Sequence, residues 1–385
     1  MTQPLPLSLY IHLPWCVKKC PYCDFNSHAA KGPLPEADYV SALLDELDQH
    51  TALLGGQNFA SIFFGGGTPS LFSGDAIAEI LSGIRSRGLL LADAEITLEA
   101  NPGTVEIRHF TGYRAAGVNR LSLGIQSFQD EKLKILGRIH GRSEALHAIE
   151  TAKTAGFENF NLDIMHGLPE QSVADALQDL EDAISCRPTH LSWYQLTLEP
   201  NTLFYNKPPI LPNEDVLHEI QIRGEALLRE NGFQQYEVSA WSRQDKQCRH
   251  NRNYWEFGDY LGIGAGAHSK LTLESKILRH AQVKHPKDWL NPQKRNAVLF
   301  QEVSESELPF EFMLNALRLT EGVPIAFFSA RTGLSLDIIK PLLQKAHDQE
   351  LLEPNPELLR PTPQGLRFLN DLTAIFMPVP CKNKS

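Results

Sequence analysis

The sequence predicts an α/β fold: a partial (β/α)6 TIM-like barrel followed by a small, mostly helical C-terminal domain. Three observations carry that expectation. Residues 7 to about 240 alternate short apolar strands with amphipathic helical patterns. Six strand–crossover units are legible there, whereas a full barrel needs eight and about 250 residues. From about residue 302 the periodicity is helical. An open doubly wound sheet is the competing arrangement, because strand count alone does not separate the two.

The strands read as LSLYIH (7–12), FASIFF (59–64), EITLEA (95–100), RLSLGI (120–125), FNLDIM (160–165) and HLSWYQL (190–196). Helical spacing of apolar residues covers 39–54, 75–84, 144–156, 173–185 and 214–232, the last closing at the C-cap candidate Gly232. A crossover after every strand requires parallel pairing. The core is therefore assigned to residues 1–240. Residues 241–300 are less regular, rich in glycine, aromatic and polar residues, and are expected to pack across the barrel's mouth. Residues 301–376 form the helical domain, and 377–385 read as a disordered tail.

Net charge is −10, from 36 basic and 46 acidic residues, which argues against a nucleic-acid-binding surface. No run of 18 apolar residues exists, so no transmembrane helix is expected. The start, MTQPLPLSLY, lacks the charged and apolar regions of a signal peptide. Of six cysteines, three cluster, while Cys186, Cys248 and Cys381 are scattered and read as inert. That usage fits a reducing cytoplasm and one metal site.

The clustered cysteines are Cys16, Cys20 and Cys23, spaced CxxxCxxC just after the first strand. Three thiolates on one short loop can hold three corners of a [4Fe-4S] cluster. The fourth iron is then open to a substrate or cofactor. The competing reading is tetrahedral zinc, completed by His12, Asp24 or His28, although zinc sites commonly split their cysteines into two separated pairs.

Chemistry in parallel α/β folds sits at the carboxyl ends of the strands. Those ends carry Tyr10 and His12, then Gly65 to Pro69, Glu99 with Asn101, Gln126, Asp163, and finally Tyr194 to Thr197. Singly each has a bland reading: a tight turn for the glycines, a solvated acid for Glu99, a surface cation for Arg138. Together they converge on one mouth. Glycines there let backbone approach a ligand closely, and a strand-end carboxylate can accept from ribose hydroxyls.

At this point the motifs are recognisable. CxxxCxxC after strand one and GGGTP after strand two resemble the radical SAM superfamily. The resemblance implies a [4Fe-4S] cluster on the three cysteines and S-adenosylmethionine (SAM) chelated at the fourth iron, where reduction can split it to an adenosyl radical. YIHLPWCVKKCPYCDFN, FFGGGTPS, LEANP, RLSLGIQSF, LGRIH, NLDIMHGLP and LGIGAGAHS are similar to the oxygen-independent coproporphyrinogen oxidase group over nearly the whole chain. By that resemblance Tyr10, Gly66, Gly67, Thr68, Glu99, Gln126, Arg138 and Asp163 line the SAM pocket, with Tyr22 beside it.

Two departures decide the branch. The oxidases continue to CxxxCxxCxC, where this chain has Phe25, and they carry an extension before the first strand, whereas Tyr10 here follows only nine residues. HNRNYW (His250 to Trp255) resembles instead the signature of a heme-chaperone branch. That implies heme as a further ligand and heme-accepting client hemoproteins as partners, with peripheral contact where a client is membrane-bound. His250 can offer an imidazole to heme iron, Tyr254 and Trp255 can pack on the macrocycle, and Arg252 suits a propionate. The alternative at that motif is a loop histidine and a core tryptophan. The alternative activity is oxidative decarboxylation of coproporphyrinogen III.

Overall fold

The computed structural model describes residues 5–103, 108–297 and 299–378. Six strands lie side by side in chain order and all parallel: β1 (Leu7–Leu13), β2 (Phe59–Gly66), β3 (Leu90–Ala100), β4 (Arg120–Gln126), β5 (Phe160–His166) and β6 (His190–Gln195). The crossovers contain α1 (Glu36–His50), α2 (Gly74–Ser86), α3 (Phe110–Ala116), α4 (Arg142–Thr154) and α5 (Val173–Ser185), and α6 (Glu214–Glu230) follows β6. Local signals fix the helix starts: Ser73, Ser172 and Asn213 each cap a helix by accepting a backbone N–H three residues on. The α/β fold read from the sequence is observed.

Side-chain alternation gives the barrel two unlike faces. Leu7, Leu9, Ile11 and Leu13 of β1 are buried in the main apolar core together with helix residues such as Leu43, Leu47 and Ile80. The other face of the strands is polar. Ser8 pairs with Ser61, Tyr10 with Phe63, Glu99 with Ser122, and Asp163 with Ser192. A polar lumen in a small barrel costs stability unless its groups are paired, so the lumen is where function or a special structural role is to be sought.

Residues 241–300 differ from expectation. Rather than packing irregularly across the mouth, they extend the sheet at both edges. β8 (Ala240–Ser242) pairs antiparallel with β6, and β7 (Gln234–Glu237) antiparallel with β8, while β9 (Asp259–Ile263) runs parallel to β1 on the far side. β10 (His268–Leu273), β11 (Lys276–Ala281) and β12 (Gln301–Glu302) then continue outward from β9. The glycines disguised this strand. A Cβ on Gly262 would lie 2.0 Å from His268 O, so glycine is what allows β10 to fold back on β9.

β1 and β6 are not paired with each other, so the barrel stays open between them. The chain between β8 and β9 must cross that opening, and it does so as α7 (Arg249–Trp255), which contains the HNRNYW motif. Its contacts with Ser61 and Glu95 place it at the amino-terminal base of the strands. A second core gathers α8 (Leu308–Ala316), α9 (Ala326–Thr332), α10 (Lys340–Asp348) and α11 (Leu369–Ala374) around Phe312, Met313, Phe328 and Leu372. Phe257 and Tyr236 join it from the barrel side. The expected tail lies outside the described residues from 379 onward, and Cys381 with it.

Candidate metal and cofactor site

The cysteine loop is pinned to the ends of β1 and β2. Trp15–Cys16 pairs in parallel with His28–Ala29 and closes the intervening residues into a lobe. Gly67 N–H donates to Leu13 O at 2.9 Å, and Thr68 N–H to Trp15 O at 2.7 Å. Gly66 has φ +118°, and a Cβ there would lie 2.7 Å from His12; a Cβ on Gly67 would lie 2.5 Å from Trp15 O. The triple glycine is thus needed for the loop itself to seat.

All three thiols are free: Cys16 is buried, and Cys20 and Cys23 are half-buried. Each has polar neighbours: Ser27 also lies by Cys16, and Tyr22 by Cys20. Thr68 Oγ1 donates to Cys16 Sγ at 3.5 Å, Arg138 Nη1 to Cys20 Sγ at 3.7 Å, and Ser27 Oγ meets Cys23 Sγ at 3.8 Å. Burial pushes the Cys16 and Cys23 thiols up, and the hydroxyls of Thr68 and Ser27 pull them back. Donors aimed at sulfur support thiolates, so this soft donor set fits an iron–sulfur cluster. The zinc alternative fares worse. His12 has both ring nitrogens engaged, by Tyr10 OH at 3.1 Å and Asn26 O at 2.8 Å, and His28 Nε2 meets Asn26 Oδ1 at 3.2 Å.

Around the loop the strand ends form one connected mouth. Asn101 Nδ2 donates to Thr68 Oγ1 at 2.9 Å, and Arg138 reaches Asn101 Oδ1 and, at 2.8 Å, Gly124 O. Cys20, Thr68, Asn101, Gly137, Arg138 and His140 line one cleft. Tyr22 lies beside Cys20 and Arg138, and burial raises its phenol. Gln126 takes φ 69° where the β4–β5 register shifts, which turns its amide inward; Tyr194 OH donates to Gln126 Oε1 at 2.8 Å. Burial, with Asp163 adding repulsion, pushes the Glu99 carboxyl up to about 8. Asp163 is also raised by burial, although Asn161 and Ser122 donate to it at 2.8 and 3.1 Å. Tyr10, below them, is raised by burial and by Glu99. Two buried carboxyls with raised pKa values sit on this floor, Glu99 with a backbone donor from Gly66 and Asp163 with side-chain donors.

His250 is placed elsewhere. It lies on α7, 1% exposed, with Nδ1 on Ser61 Oγ at 3.0 Å and Nε2 on Tyr254 OH at 2.8 Å. It is a helix residue and not a loop residue, and both ring nitrogens are in use. Ser61 is four residues before Gly65 on β2, about 13 Å at ~3.3 Å per residue. Arg252 is engaged by Glu256 at 2.7 Å and Glu321 at 2.6 Å, and Trp255 lies under Arg318. The motif joins the barrel base to the C-terminal domain.

Asn26 escaped the sequence reading. Its amide donates to Ala265 O and Lys284 O, both at 2.9 Å, and ties the cysteine loop to the β9–β11 edge. Asn101 was visible as a strand end, but its bridging position between Thr68 and Arg138 was not.

Comparison with known proteins agrees with this geometry. The radical SAM superfamily pattern matches residues 10–183, and the HemN C-terminal domain matches 303–368. Heme chaperone HemW of Escherichia coli is 52% identical over 97% of this chain and 98% of its own length. The chain belongs to the HemW family of the radical SAM superfamily. HemW of Haemophilus influenzae is 49% identical, covering 97% of this chain and 98% of its own. Coproporphyrinogen III oxidase (HemN) from Escherichia coli superposes with TM-score 0.81 over 97% of this chain and 90% of that one, at 23% identity. That likeness shows a shared fold. The resemblance carried by CxxxCxxC, GGGTP and HNRNYW is thereby borne out. Among the described residues of this HemW-family chain, no helix is long and apolar enough to cross a membrane.

Proposed function

We propose that this chain is a heme chaperone of the cytoplasm. It binds a [4Fe-4S] cluster at Cys16, Cys20 and Cys23, SAM at the strand ends, and heme, which it hands to client hemoproteins. One observation carries the reading: the near full-length likeness to HemW at 52% identity, in a chain whose three free thiols sit over a polar mouth. Bound there, the cluster and SAM supply one-electron chemistry.

The chain's own residues do the holding. Thr68, Arg138 and Ser27 support the three sulfurs. Glu99 and Asp163 accept from hydroxyl groups of the nucleoside, Gln126 and Tyr194 hold the wall, and Gly66 and Gly67 keep the loop low enough to leave the mouth clear. Tyr10 closes the floor and Tyr22 the side. His250, as a ligand for heme iron, must first release Ser61 or Tyr254. Clients include membrane-bound hemoproteins met at their cytoplasmic face. Phe25, 63% exposed, stands where the oxidases have a further cysteine, which favours the chaperone over coproporphyrinogen decarboxylation.

The test is anaerobic reconstitution, heme titration, and mixing with an apo-hemoprotein. Stoichiometric heme uptake followed by transfer is expected, with coproporphyrinogen III left unconsumed. Failure of the reconstituted protein to take up heme overturns the proposal, and turnover of coproporphyrinogen replaces it with the oxidase.

A further inference from the structure

Exposed apolar side chains concentrate around the cysteine loop. Val17, Phe25, Ile139 (62% exposed), Leu203 (68%), Tyr205 and Ile210 (76%) lie on three segments, 17–25, 134–139 and 203–210. These segments meet at Pro21. Phe204 N–H donates to Pro21 O at 3.0 Å. A Cβ on Gly137 would lie 2.8 Å from Pro21 Cδ, so Gly137 is packed against it from the other side. Tyr22 and Phe204 approach ring to ring at 6.4 Å. Beneath them a small separate core of Leu136, Met165, Leu168 and Leu196 supports the rim. Contiguous exposed apolar surface on a soluble scaffold marks a binding site.

The charge of the rim is opposite to that of the chain. The protein carries −10 overall, yet these three segments hold Lys18, Lys19, Lys134, Arg138 and Lys207 against Asp24 alone. None of the four lysines joins an ion pair among the described residues, where paired lysines are Lys153, Lys270, Lys276, Lys294 and Lys340. A cleft of about 540 Å3 opens beside Ile139, lined by Lys134, Arg138 and Arg142 but also by Asp130 and Glu144, with Arg142 paired to Asp182. A second, small cleft of about 30 Å3 shares Arg138, Ile139 and His140 with it and reaches Val17, Lys18 and Cys20. The larger volume is in the range of small-ligand sites.

Resting on the chaperone reading, we infer that heme docks on this rim, its apolar face on Ile139 and Leu203 and its propionates on the unpaired lysines. The occupant follows from the chemistry: a flat apolar body with two carboxylates matches apolar side chains interleaved with unpaired cations. A lipid surface shares part of that chemistry, but a ligand-sized cleft at the Ile139 edge of the rim favours a small molecule. The base of the barrel is closed here, with His250 enclosed and bonded at both ring nitrogens, so it can take part only after one of those bonds opens, whereas the rim is already exposed.

The test titrates heme into reconstituted wild type, Ile139→Asp/Leu203→Asp, Lys134→Glu/Lys207→Glu, and the control Ile338→Asp, an exposed apolar site in the C-terminal domain. Iron and sulfide content and thermal melting confirm that each variant is folded and loaded. Affinity is expected to fall about tenfold or more in both rim variants, the scale of losing apolar contacts in a binding pocket, and to hold in the control. Rim variants that bind heme like wild type overturn the inference while leaving the chaperone reading intact. Wild type that binds no heme overturns that reading first. Rim variants that lose only flotation with anionic phosphatidylserine vesicles assign the rim to a membrane surface instead.

Discussion

The two ends of the barrel are built from the same six strands and are polar inside, yet they behave oppositely. At the mouth the polar groups have capacity to spare. The thiols have long contacts of 3.5 to 3.8 Å, and two of them are half-buried. At the base the polar groups meet several partners each. His190 is held by Asn161 Oδ1 at 2.6 Å and Tyr236 OH at 2.8 Å. Glu95 Oε1 accepts from the His250 backbone N–H at 3.2 Å and from Cys248 Sγ at 3.5 Å. The difference comes from α7, which crosses only one end. A polar lumen left uncovered can bind ligands; the same lumen covered by a helix becomes a structural joint.

The largest expected effect breaks the mouth and spares the base. Replacing Cys16, Cys20 and Cys23 by alanine should abolish bound iron and sulfide, while the melting temperature stays close to that of wild-type protein stripped of its cluster. The thiols carry no strand or helix bond, so their loss removes ligands without removing structure. Iron content unchanged from wild type would falsify the assignment of the loop.

The next effect breaks the base. His250→Ala removes the ring that Tyr254 OH and Ser61 Oγ meet, leaving Ser61 its bond to Ser8 and Tyr254 without this one, and opens a cavity under Phe63, whose ring lies 5.1 Å from His250. Buried groups left unpaired cost about 1–3 kcal/mol each, so denaturant unfolding should show a loss of roughly 2–4 kcal/mol. A lowered heme affinity in this variant is therefore to be read only beside its stability. An unchanged unfolding midpoint would remove the joint from α7 and return the motif to ligand binding.

What the sequence showed of these two ends was unequal for a physical reason. The mouth is made by strand ends, and strand ends are local: the alternation in AEITLEANP fixes both the strand and where it stops. In this chain Glu99, Gln126 and Asp163 could be placed on one side from ITLEA, LGIQ and NLDI alone. The base is made by contacts across the chain, such as His250 with Ser61 189 residues away, and no local pattern encodes them. α7 is short and mostly polar, so its helical period is faint, and β9 is masked by Gly262. Asn26 escaped likewise, because its partner Ala265 is 239 residues distant.

The smallest effect sharpens the comparison through protons. His140, at the mouth, is pushed down to about 4 by burial, with Arg138 adding; His250, at the base, is pushed down to about 3 by burial, with Arg120 adding. Both folded values lie below the ordinary 6.5, so the unfolded chain takes up the proton first as pH falls. The stability these neutral rings provide is complete above about pH 6.5 and is lost as pH drops toward the folded values. Each ring then contributes a slope of up to about 1.4 kcal/mol per pH unit, and the two slopes coincide until His140 itself protonates. Unfolding measured from pH 6.5 to 4.5 should therefore give His140→Gln and His250→Gln equally reduced acid sensitivity, although α7 covers only one end of the barrel. A variant at the mouth that keeps the wild-type slope would mean that solvent reaches His140. The mouth would then be open to protons as well as to its ligand, and the contrast between the two ends would extend from packing to solvation.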